Sequence, residues 1–230
     1  MLRINNLYKA FDKRQPVLSG VSLSLLPGQA ICIAGKNATG KTTLLRLACG
    51  ILTPDVGTVL TEGRVAYVPQ EPALLPELSV KDNLMLWYAA QNLPGPTFSP
   101  QSPEALLGLA SYRNKSAGTL SGGMKKRLSI AQALVSRPDY LLLDEPFSAL
   151  DAVSSQLLVS VLCAFKRDGV GILFSAHEPE QICAVADVVK LLQQGRLSQS
   201  LLLESVPEAQ RPTRVLSLLF SEALTVLQPN

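Results

Sequence analysis

The spacing of hydrophobic and polar positions changes several times along the chain. Apolar-rich runs at residues 3–7, 21–25, 30–34, 57–60 and 64–68 are separated by turn residues such as Pro27-Gly28, a pattern that predicts β-strands. Between the third and fourth runs, Leu44, Leu45, Leu47 and Ala48 form a helical stripe, predicting a helix over 40–50 with Gly50 as its stop. Residues 71–118 read differently: prolines at 72, 76, 94, 96, 100 and 103 punctuate two short helical patterns, 80–91 and 103–110. The alternation then resumes as helix 121–135, strand 140–143, helix 150–165, strand 171–174, helix 179–186 and strand 188–192. Strands alternating with helices predict an α/β fold with a mostly parallel sheet and helices on both faces. The unbroken apolar run Tyr140-Leu141-Leu142-Leu143 is the pattern of a strand covered on both sides. Val215, Leu216, Leu218, Leu219, Leu224 and Leu227 predict one more apolar helix, to which the sequence attaches no chemistry.

Composition narrows the class. The 230 residues are 47% hydrophobic and 17% charged, against about 25% charged in an average soluble protein. That surplus predicts a large core plus apolar contact surface. No apolar run approaches the roughly 18 to 20 residues of a membrane span; Leu201-Leu202-Leu203 is cut at once by Glu204. The net charge is +3, and the longest basic run, Lys125-Lys126-Arg127, reads as a solvated helix face. Without a denser basic stripe, no nucleic-acid partner is expected. The opening Met1-Leu2-Arg3-Ile4-Asn5 lacks the form of a secretory leader. Cys32, Cys49, Cys163 and Cys183 are scattered, as reduced thiols would be, and a lone histidine, His177, supplies no zinc ligand set. A cytosolic chain is expected.

Two motifs carry chemistry. Gly35-Lys36-Asn37-Ala38-Thr39-Gly40-Lys41-Thr42 fits G-x-x-x-x-G-K-[ST] and stands between a predicted strand and a predicted helix. Successive backbone N–H groups and the positive helix end would surround phosphates there. Lys41 adds a cation at the β and γ phosphates, and Thr42 a hydroxyl for Mg²⁺. The second motif is the strand 140–143 ending in Asp144-Glu145, which puts two carboxylates at the sheet edge where α/β proteins bind ligands. Asp144 suits the Mg²⁺ shell and Glu145 the attacking water. A nucleoside triphosphatase is implied. The only Asn-Lys, Asn114-Lys115, is followed by Ser116-Ala117, so the guanine-reading Asn-Lys-x-Asp is missing. Leu120-Ser121-Gly122-Gly123-Met124 has no role in a small-molecule kinase.

With these residues in view, residues 2–198 resemble the nucleotide-binding subunit of an ATP-binding cassette (ABC) transporter. The resemblance implies a P-loop NTPase core, an N-terminal antiparallel β subdomain and a small α-helical insert subdomain. The core would comprise residues 1–70 and 119–198, the insert 71–118, and an apolar helical tail 199–230. It further implies that ATP is bound by Gly35, Asn37, Ala38, Thr39, Gly40, Lys41, Thr42 and Thr43, with adenine stacked on Phe11 or its rival Tyr8. Thr42, Gln70 and Asp144 would face Mg²⁺, and Glu145, His177, Gln70 and Lys41 would act on the γ-phosphate and its water. Ser121, Gly122 and Gly123 match the signature that meets the nucleotide of a second subunit, and Ser148-Ala149-Leu150-Asp151 the loop crossing that interface; Asp151 equally suits an N-cap. The implied partners are a second ABC ATPase, identical or paralogous, and an integral membrane permease holding the chain at the cytoplasmic face of the cell (inner) membrane. Leu74, Leu75, Leu78, Trp87 and Tyr88 crowd the insert and form the expected permease contact.

Two residues depart from the family pattern: Met124 where glutamine is usual, and Ala38 where glycine is frequent. Ala38 adds only a Cβ, tolerable unless that residue takes a positive φ. An active ATPase is expected. The competing classes are a stand-alone ABC-type switch on ribosomes or DNA and a non-hydrolysing regulatory subunit. One cassette and no heptad run speak against the first.

Overall fold

The computed structural model describes residues 1–12 and 15–226, with side chains to residue 220. Strands β1 (Leu2–Asp12), β2 (Gln15–Leu25) and β4 (Val56–Thr61) form an antiparallel sheet in the order β2-β1-β4. The main sheet has the order β5-β6-β7-β3-β8-β9, built from β3 (Ala30–Ala34), β5 (Val65–Val68), β6 (Tyr140–Leu143), β7 (Gly171–Ser175), β8 (Val188–Gln193) and β9 (Arg196–Leu202). All its neighbours pair in parallel except β8 with β9. This is the α/β architecture that the pattern predicts, with the antiparallel β subdomain that the resemblance implies.

Strand pleating explains the continuous apolar runs. Leu141 and Leu143 point to one face of the main sheet, into a cluster with Leu128, Ile130 and Leu162. Tyr140 and Leu142 point to the other, against Leu44, Leu45, Leu47 and the β1–β2 residues Leu2, Ile4 and Leu25. Successive side chains thus serve two separate cores, so no position in the strand is free to be polar.

Helix α1 (Lys41–Ala48) lies on the second face, and α4 (Gly122–Val135), α5 (Ala152–Arg167) and α6 (Pro179–Val185) contribute to the first. Helices α2 (Val80–Ala90) and α3 (Pro103–Leu106) lie between β5 and β6, within the segment 71–118 expected as an insert. Ser79 caps α2 by accepting the Asp82 N–H at 3.1 Å, while Asn83, buried on its inner side, bonds the carbonyls of Leu75, Leu78 and Ser79. The predicted helix 103–110 stops early, because Gly108 takes φ +68 and a 3-10 turn at Ala110–Tyr112 follows. Inside the insert, Glu104 is wholly buried and accepts the Tyr88 hydroxyl at 3.1 Å and the Phe98 N–H at 3.0 Å.

Strand β9 was not foreseen. Its alternation is shallow, with Leu197 and Leu201 half-buried among exposed neighbours, because an edge strand covers only one side. It pairs with β8 as far as Leu202, across the boundary expected at 198. Leu203, Val206 and Val215 of the following segment are buried, and Leu203 and Val215 sit in the core shared with α5 and α6. The predicted last helix is α7 (Arg211–Val226); Leu227 lies outside the described residues.

Candidate functional site

The loop 35–40 leaves β3 and delivers Lys41 to the start of α1. Gly35, at φ +150, could not carry a side chain, since a Cβ would lie 2.5 Å from the Leu192 carbonyl oxygen. Gly40 caps α1 at φ +105 with no side chain over the helix end. Ala38 has φ +64, so the condition under which its Cβ would be tolerated is not met. The left-handed region costs a non-glycine residue roughly 1–2 kcal/mol, a strain the loop carries in place. Lys41 is buried, its Nζ donating to the carbonyls of Gly35 at 2.8 Å and Lys36 at 2.9 Å.

The acidic pair arrives from β6. Asp144 is 1% exposed; its Oδ1 accepts the Ser175 hydroxyl at 2.8 Å and its Oδ2 the Tyr67 hydroxyl at 3.4 Å. Glu145 turns the chain with φ +46, and its N–H donates to Ser175 Oγ at 2.8 Å. That turn directs the carboxylate back over the loop. Oε2 lies 3.1 Å from His177 Nδ1, and Oε1 lies 3.9 Å from Lys41 Nζ.

One cavity of about 470 Å³ gathers Asn37, Ala38, Gly40, Lys41, Thr42, Thr43, Gln70, Asp144, Glu145 and His177. A second, of about 590 Å³, contains Phe11, Gln15, Lys36, Thr39 and the β8–β9 turn at Gln193, Gln194 and Gly195. Val17 and Ala38 line both, so the two adjoin. Phe11, 64% exposed, stands on the wall of the second, whereas the Tyr8 hydroxyl is turned against Gly20. The hydroxyl of Thr42, the amide of Gln70 and the carboxylate of Asp144 are hard oxygen donors around one space. That set fits Mg²⁺, which takes few protein ligands and completes its shell with phosphate and water.

Ser121, Gly122, Gly123 and Asp151 line neither cavity. Ser121 N-caps α4 by accepting the Met124 N–H at 3.3 Å, and Ser121 and Gly122 are exposed. Met124 is half-buried against the main core, so its side chain packs inward. Asp151 N-caps α5 through the Ser154 N–H at 2.7 Å, the bond that holds its carboxyl below the usual range. That cap is why α5 begins at Ala152 and not at residue 150.

Two residues of the site were missed. Ser175 ends β7, one position beyond the strand expected from sequence; a polar residue closing an apolar run was the available signal. The sequence pattern puts Lys126 on a solvated face, but it is 2% exposed and bonds the carbonyls of Pro69 and Gln70. Sequence spacing alone could not separate it from Lys125, which is half-exposed.

A family model described as ABC transporter matches residues 18–148. An aliphatic sulfonates import ATP-binding protein of Streptomyces avermitilis is 36% identical over 226 residues, covering 96% of this chain and 82% of that relative. A spermidine/putrescine import ATP-binding protein of Lawsonia intracellularis is 33% identical over 213 residues, covering 86% of this chain and 58% of that relative. A solved ATP-binding subunit of an ABC transporter superposes with a TM-score of 0.81 at 24% identity, with 99% of each chain covered. The dimeric structure of a bacterial ABC transporter cassette gives 0.76 at 22% identity, covering 88% of this chain and 99% of that one. These two structural likenesses concern the fold.

Proposed function

The chain belongs to the ABC transporter family as an ATP-binding, ATP-hydrolysing subunit, and from that premise we propose that its ATP sites are completed between two subunits facing head to tail. A separation supports this. Lys41, Thr42, Gln70, Asp144, Glu145 and His177 surround one cavity, while Ser121 and Gly122 stand exposed at a helix start outside it. A second subunit, identical or paralogous, would bring its Ser121 and the free N–H groups of its α4 to the γ-phosphate held here.

Within the cavity the roles follow from position. The loop N–H groups and the start of α1 hold the phosphates, and Lys41 adds its charge at the β and γ positions. Phe11 stacks on the base in the adjoining compartment. Thr42, Gln70 and Asp144 would hold Mg²⁺, which when bound neutralises charge on the phosphate oxygens. Glu145 orients the attacking water and takes its proton, while His177, bonded to Oε2, fixes the carboxylate and faces the γ-phosphate. ATP bound between both surfaces favours the closed pair, and loss of the γ-phosphate removes that preference.

Among the described residues no helix is long and apolar enough to cross a membrane. Transport therefore calls for a permease, which would place the chain peripherally at the cytoplasmic face. The surface best suited to it is a groove of about 600 Å³ whose lining includes Ile51, Pro69, Ala73, Trp87 and Gln132. The contact expected from sequence needs revision here: Leu74 and Tyr88 pack into the core, and burial beside Glu104 pushes the Tyr88 phenol up to about 12. Trp87 and Leu75 remain exposed. The two import relatives carry different solutes in their names, which supports assigning solute choice to the permease and import to this chain. No nucleic acid enters this account.

Purified protein should hydrolyse Mg-ATP, and Glu145→Gln should lose about 100-fold or more in kcat, the scale of a lost general base, while still binding ATP. Turnover at the wild-type rate would take Glu145 out of this role.

A further inference from the structure

Lys126 is a lysine with 2% of its surface exposed, and no salt bridge to a carboxylate is formed by it among the described residues. A buried ammonium is costly unless it is hydrogen-bonded. Its Nζ bonds both go to one place, the bend after β5: the Pro69 carbonyl at 3.2 Å and the Gln70 carbonyl. Burial lowers its pKa, opposed by the charges of Asp144 and Glu145.

Three features meet at this contact. Lys126 lies on α4, the helix whose N-cap is Ser121. Gln70, whose carbonyl it holds, lines the cavity of Lys41 and Glu145. Pro69, the other partner, lines the apolar groove together with Trp87 and with Ser129 and Gln132 of α4. We infer that Lys126 is a positioning residue: it ties the Gln70 bend to α4, so that the Gln70 amide is presented to the phosphate cavity according to where α4 stands. The nucleotide-facing start of α4, the groove and the phosphate cavity are then coupled through one buried ammonium. This inference rests on the reading of Gln70 given above.

A rigid helix hydrogen-bonded to the Gln70 bend can carry coupling between the two ends, and a change in one then alters the energetics of the other. Lys126→Met keeps the length of the buried stem and removes all donors. Gln70→Ala removes the amide and leaves the backbone. A cycle of wild type, both single variants and the double variant separates a positioning role from packing.

Each single variant should lower kcat for Mg-ATP by about tenfold, a modest case of the losses that follow from misplacement of an active group. The ATP dissociation constant, measured calorimetrically in EDTA, should stay within about twofold, since the loop of Lys41 is untouched. The double variant should be no slower than the slower single variant. Losses that multiply to about 100-fold, or a Lys126→Met protein with normal kcat beside an impaired Gln70→Ala, overturn the inference and leave the reading of Gln70 standing. A normal kcat in Gln70→Ala removes that reading and the inference with it. Should Lys126→Met fail to fold, Lys126→Gln, which is neutral and shorter, enters the same cycle with the same expected and contradicting outcomes.

Discussion

Glu145 owes its placement to a residue outside either motif. Its backbone sits at φ +46, and the N–H of that strained residue is held by Ser175 Oγ, whose own proton goes to Asp144. Ser175 is fully buried, so removing its hydroxyl leaves a donor and an acceptor in a dry place without their partner. Ser175→Ala should therefore cost about 1–3 kcal/mol of stability. By loosening the Glu145 turn it should lower kcat about tenfold with KM for ATP little changed. Urea denaturation and steady-state kinetics check both; an unchanged kcat would show that the turn holds without Ser175. At this scale the sequence was informative where a motif marks a position, as at Lys41 and Asp144, which line one cavity; His177, on the same cavity, entered only through the family resemblance. The sequence was silent where burial decides the role. Lys126 and Lys125 are neighbours in one basic run, and only the packing of α4 against the Pro69–Gln70 bend makes one of them internal.

Elements were legible in proportion to their burial. The strands at Ala30–Ala34 and Tyr140–Leu143 match the predicted limits because every side chain in them is buried. The long β1 and β2 were cut short in prediction, since polar residues such as Lys9 and Ser19 lie within their ladder and only the pairing reveals them as strand. Strand β9 fell below the signal for the same reason. The prolines mark where residues 71–118 break the alternation, but which apolar side chains of α2 are buried depends on Glu104 and the loop around it. Facing outward, Trp87 is 44% exposed and Ile51, beside α1, 59%. Substituting both by Asp should leave ATPase activity of the purified subunit within about twofold, because surface changes away from the site are nearly neutral. Transport, and recovery of the chain with membranes carrying the permease, should be lost. If both survive, the permease contacts another face.

The whole molecule has the cavity around Lys41 and, at the exposed start of α4, a surface that is not part of it. On the proposed pairing each subunit supplies half of two ATP sites. The fold and the order of the motifs could be read from the sequence, because hydrophobic period and motif spacing are local properties. The adjacency of the two cavities at Val17 and Ala38, and the strain at Ala38, are products of tertiary arrangement and could not. Head-to-tail pairing doubles the mass of the particle in solution. Glu145→Gln protein with Mg-ATP, followed by size-exclusion chromatography with light scattering, should run at about twice the 24.7 kDa of the chain and return to a single copy when ATP is removed. A protein that binds ATP yet keeps the mass of one chain at every concentration tested would contradict the shared site.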